Sequence, residues 1–164
     1  MKKIVYGLIL FLLAGFLSGC MGGLGLKNHT VKQENQIDLI KGSRNIQGIW
    51  EAEDLSLSYI CSFKTNGLQI NGKITLSTKL THFTTMDHLR VWIHFVDSDG
   101  RIIGKRLVYT AAHRKWIDRL NLDVNRWMTV PQGSVALAFS YSGEVSDGLG
   151  GNGDRISWDF FKRP

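Results

Sequence analysis

Cysteine is scarce in this chain of 164 residues, which has only Cys20 and Cys61. Two thiols cannot build the multi-bridge framework on which the smallest secreted scaffolds depend. None is needed, because a domain of about 120 residues buries roughly two thirds of its unfolded surface. One domain is therefore expected. Local enzyme signatures are also missing: the sequence holds no G-x-S-x-G, no S-x-x-K and no H-E-x-x-H. Triads form in space, so this leaves open an envelope enzyme with a spatially assembled site, although no catalytic residue is assigned. The net charge of +6 is mildly basic, and no nucleic-acid partner is expected from it.

The first twenty residues carry the most specific pattern. Lys2 and Lys3 precede an uncharged apolar run from Ile4 to Phe16, and Leu17-Ser18-Gly19-Cys20 follows. That is a positive n-region, an h-region of the expected length and small residues at a cleavage point. All four final positions match the lipobox, so the segment resembles a bacterial lipoprotein precursor. The resemblance implies that Cys20 is thioether-linked to diacylglycerol, that the chain is cut before it, and that the new amino terminus is acylated. Two or more acyl chains give stable anchoring where one holds only marginally. It also implies attachment to a membrane of the cell envelope, facing the periplasm or the exterior. Met21, standing where an aspartate would signal inner-membrane retention, favours the outer membrane of a Gram-negative cell. The competing reading is an uncleaved membrane helix, against which Gly19, Gly22, Gly23 and Gly25 argue at about 1 kcal/mol each.

Cleavage would lower the net charge from +6 to +4 by removing Lys2 and Lys3. With Cys20 carrying lipid, Cys61 has no partner within the chain. It reads either as a reactive or intermolecular thiol, or as a small buried apolar residue between Tyr59 and Phe63. Residues 20–44 are glycine-rich and then polar, too poor in apolar surface to order themselves, and read as a lipidated tether between the signal peptide of residues 1–19 and a folded domain of residues 45–164.

From Ile46 onward the apolar period is two, the signal of strands. Leu68, Ile70, Ile74, Leu76 and Leu80 alternate with polar residues, and Asn71-Gly72 within that run marks a second turn or a bulge. Leu89, Val91, Ile93 and Phe95 form another core face, which Asp97-Ser98-Asp99-Gly100 turns back. Residues 111–120 break the alternation, with Ala112, Trp116, Ile117 and Leu120 at helical spacing, and predict a short helical crossover. Val135, Leu137, Phe139 and Tyr141 face inward from a strong penultimate strand, as do Ile156, Trp158 and Phe160 from the last. The pattern predicts an antiparallel β-sandwich of immunoglobulin-like kind. A small β-barrel is the alternative, because alternation does not say whether a sheet closes.

Other site-like patterns carry less. Gly148 to Gly153 fits G-x-G-x-x-G, but no βαβ unit surrounds it. His88 and His94 on one strand would stand about 20 Å apart, too far to share an ion, and only His82 and His88 facing one another have the geometry to do so. No metal site and no cofactor are assigned. Arg101, Lys105, Arg106, Arg114, Lys115 and Arg119 make the middle of the chain basic, which reads as a solvated face or as contact with phospholipid or lipopolysaccharide phosphates or an acidic partner.

The candidate interaction surface is the outer face of residues 88–96: His88, Arg90, Trp92 and His94. Opposite it, the penultimate strand offers only Ala136, Ala138 and serines, so Trp92 is expected over a floor of small side chains, the composition of a binding hot spot. The alternative is that residues 111–120 fold over this face and bury Trp92. The sequence thus predicts a membrane-anchored binding or assembly module with an envelope protein partner, or else a carrier of a small ligand or metal.

Overall fold

The computed structural model describes residues 29–39, 45–64, 67–147 and 156–164. The lipobox with Cys20, the signal peptide and the glycine run from Gly148 lie outside the described residues.

The expected alternation builds two antiparallel sheets. β2 (Asn45–Glu51), β3 (Leu55–Lys64) and β4 (Gly67–Leu76) form a meander, and β8 (Asp123–Met128) adds to β4, giving a sheet in the order β2-β3-β4-β8. The second sheet is centred on β5 (Thr85–Val96) and β9 (Ala136–Ser146). Along the far side of β5 run β6 (Ile102–Ala111) and the two-residue β7 (Lys115–Trp116). Along the far side of β9 lie β1 (Ile37–Asp38) and β10 (Ser157–Lys162). The β5–β6 hairpin stays in one sheet, the chain crosses to place β8 beside β4, and it crosses back to set β9 between β5 and β10. This Greek-key interlock makes the molecule an immunoglobulin-like sandwich. Among the described residues no ladder joins the outer strands of one sheet to those of the other, so the barrel alternative does not hold.

The core forms where the two inner faces meet. Leu89, Val91, Ile93 and Phe95 of β5 are fully buried, against Leu57, Leu68 and Ile70 of the facing sheet. Rings close the centre: Trp50 and Tyr59 approach Phe139 at 5.4 Å and 5.3 Å between centroids, and Tyr141 approaches Phe160 at 5.9 Å. Phe160 lies against Gly143, opposite it in the ladder, where a Cβ would meet the ring at 2.2 Å. Cys61 is buried among these residues, and burial pushes its thiol up to about 12. It is the small apolar core residue of the second reading above.

Four local expectations change. Asn71-Gly72 is neither turn nor bulge, since β3 and β4 pair without slip from Leu55↔Leu76 to Lys64↔Gly67. Gly72 is required instead because a Cβ there would stand 2.2 Å from the Ser58 carbonyl oxygen. The short helix, α1 (Thr78–Thr81), is in the β4–β5 crossover, whereas residues 111–120 hold β7 and a 3-10 turn at Ile117–Arg119. Ile156 and Trp158 do not reach the core and are 63% and 56% exposed, leaving Phe160 as the inward anchor of β10.

The fourth change concerns the tether. Residues 29–39 belong to the sandwich rather than to a free linker. The Val31 amide donates to the Gly100 carbonyl at 2.8 Å, Thr30 bridges Arg101, and β1 pairs with Leu137 and Ala136. Val31, only 2% exposed, seals a second apolar cluster with Val96, Ile102, Ala136 and Ala138 on the outer side of the six-stranded sheet. A single valine in a polar segment suffices because small side chains already line the site it fills.

Candidate interaction face

The ladder of the six-stranded sheet fixes which side chains share its outer face. Trp92 of β5 is opposite Ser140 of β9 and Leu107 of β6; Arg90 is opposite Ser142 and Thr110. Ser142 is in turn opposite Phe161 of β10, and His88 opposite Glu144. The β5–β9 neighbourhood expected for Trp92 is present, with serine instead of alanine beside the ring.

The four predicted residues separate in environment. Arg90 is exposed, while His88 and Trp92 are half-buried. His88 Nδ1 is 3.7 Å from Glu144 Oε2. Lys105 Nζ sits 4.1 Å from the centroid of the Trp92 ring, a cation–π contact, and burial holds this ammonium below the ordinary lysine range.

His94 departs from the prediction, since it has no exposed surface and so cannot be part of an interaction surface. Its Nε2 shares a hydrogen bond of 2.7 Å with Ser140 Oγ, while Nδ1 is buried with no hydrogen-bond partner. Burial, and secondarily the charge of Lys105, holds the ring down at about 4, so it is neutral at physiological pH. A serine and a histidine in contact invite a nucleophilic reading, but no carboxylate orients Nδ1 and Ser140 is itself 5% exposed. Residues 111–120 do not cover this face; the cover at its His94 end is the Val31 segment.

Two residues that sequence reasoning missed complete the face. Phe161 and Leu107 are 65% and 42% exposed, next to Ser142 and Trp92 respectively. Leu107 turns outward because a register shift between Val91 and Trp92 inserts an extra residue on β6, which alternation alone does not reveal. With Lys105 and Arg106, both exposed, the face combines apolar tips and cations over a serine floor.

The remaining basic residues Arg101, Arg114, Lys115 and Arg119 are exposed but dispersed over the turns and β7. His82 is exposed. Among the described residues no group of three or more His, Cys, Asp or Glu is close enough to hold a metal ion, and no helix is long and apolar enough to cross a membrane. A cleft of about 730 Å³ opens between the sheets elsewhere, walled by Leu76, Phe83, Trp116, Ile117 and Leu122. No histidine lines it. Comparison with protein-family models, with curated proteins and with solved structures finds no match for this chain.

Proposed function

We propose that this protein is a lipid-anchored module of the cell envelope, held in a membrane through Cys20, that binds or assembles with another envelope component and performs no catalysis. The observation that carries the binding half is the outer face of the six-stranded sheet, where Phe161, Leu107 and Trp92 stand unpacked among Arg90, Lys105 and Arg106. Aromatic and arginine side chains on a flat floor of small residues are the composition of interaction hot spots. The anchoring half rests on the agreement of Lys2, Lys3, the apolar run and Leu17-Ser18-Gly19-Cys20 with a lipoprotein precursor.

Cys20→Ser tests the anchor. The variant is expected to retain residues 1–19 and lack acyl mass, and equal masses for wild type and variant, both uncleaved, would return the chain to the signal-anchor reading. Phe161→Ser tests the face, with an expected loss of the bound envelope component at unchanged melting temperature.

A second reading, a small-ligand carrier, is favoured by the 730 Å³ cleft, which is within the roughly 300–1,000 Å³ range of ligand pockets. Native mass spectrometry separates the two: a stoichiometric small molecule retained by wild type and lost in Trp116→Ala supports the carrier.

A further inference from the structure

We infer that the outer face of the six-stranded sheet docks on the anionic headgroup surface of the membrane that holds the anchor, which names the partner of the proposed binding face and rests on the lipoprotein reading. Charge supplies the first argument. Arg90, Lys105 and Arg106 are exposed around Trp92, Leu107 and Phe161, so cations and apolar tips alternate on one surface. Carboxylates on this side, Glu144 beside His88 and Asp159 opposite Glu144, gather at the far end of the ladder from Lys105. The cationic end complements an anionic leaflet, while amphipathic tryptophan favours the headgroup level.

Chain length supplies the second argument. Only nine residues separate Cys20 from His29. Even fully extended they span about 30 Å. The His29 carbonyl accepts from the Ile102 amide at 3.1 Å, and Val31 two residues later lies on the outer side of the same sheet. The anchor therefore enters beside the cationic end of this face, at the start of β6. A tether running to residue 44 would have imposed no such orientation, whereas one ending at His29 keeps this face near the leaflet.

The test uses the full lipidated chain in vesicles of phosphatidylcholine alone or with phosphatidylglycerol, each carrying brominated acyl chains that quench nearby tryptophan. Quenching that appears with phosphatidylglycerol, is abolished in Trp92→Phe and weakens about fivefold in each of Arg90→Gln and Lys105→Gln is the expected result. Flotation with phosphatidylcholine vesicles reports the anchor independently. Flotation with quenching indifferent to phosphatidylglycerol overturns the docking while leaving the anchor in place, and loss of flotation removes the anchor reading by itself. Phe161→Ser guards against a folding artefact at Trp92, because Phe161 lies outside the core and its variant is expected to weaken quenching at constant melting temperature. Capture of a protein by this face, with no lipid-dependent quenching, also overturns the proposal.

Discussion

Tyr141 of β9 donates its phenolic hydrogen to Asp54 Oδ2 at 2.7 Å, joining the six-stranded sheet to the β2–β3 turn of the four-stranded one through buried polar atoms. Burial first, and then the Asp54 carboxylate, hold the phenol above the ordinary tyrosine range. The Asp54 backbone carbonyl accepts from the Ser77 amide at 2.8 Å, so this residue also fixes the chain entering α1. Tyr141→Phe keeps the ring packing and leaves a buried carboxylate oxygen without its donor. A loss of about 1–3 kcal/mol in denaturant unfolding is expected, and a change below a few tenths would mean that water replaces the phenol.

The His94 ring makes stability depend on pH in a defined direction. Its folded value, about 4, is below the ordinary 6.5, so the unfolded chain binds the proton first as pH falls. The contribution is complete above pH 6.5 and erodes between 6.5 and about 4 at about 1.4 kcal/mol per pH unit, on the order of 3 kcal/mol in all. The wild-type minus His94→Gln difference in unfolding free energy is expected to decline across that window. A difference flat in pH would show that the ring protonates without cost in the fold.

Cys61 gives a chemical readout of the same core. With its thiol at about 12 and no exposed surface, alkylation at pH 8 is expected only through unfolding, at a rate that denaturant accelerates. Rapid alkylation of the native protein would contradict the packing of β3 against β9.

The strands were legible because alternation is a local property: Leu89, Val91, Ile93 and Phe95 face inward as their spacing requires. Alternation says which face a side chain occupies, not what covers that face. His94 is on the expected outer side of β5, yet it is buried because Val31, more than sixty residues earlier, packs over that end of the sheet. Trp158 fails for the complementary reason, since an inward face buries nothing where the opposing layer does not extend. Leu107 needed a bulge, and bulges depend on the pairing of two strands. Of the four residues chosen for the candidate surface, Arg90, His88 and Trp92 retain access to solvent, and His94 does not.

The β6–β7 turn offers a last test, in which backbone strain and an ion pair act at adjacent positions. His113 and Arg114 both have positive φ, 69° and 39°, a conformation that side chains bearing a Cβ disfavour. Arg114 is compensated, because its Nε donates to Asp87 Oδ1 at 2.8 Å, with the aspartate side chain only 10% exposed. His113 is exposed and makes no such contact in the turn. Glycine at 113 is therefore expected to relieve strain and stabilise the fold by up to about 1 kcal/mol. At 114 the same relief is offset by removing the guanidinium from a largely buried carboxylate, so Arg114→Gly is expected to destabilise by about 1–3 kcal/mol. Thermal unfolding of the two variants should move in opposite directions, and parallel shifts would mean that backbone strain or the ion pair alone governs the turn.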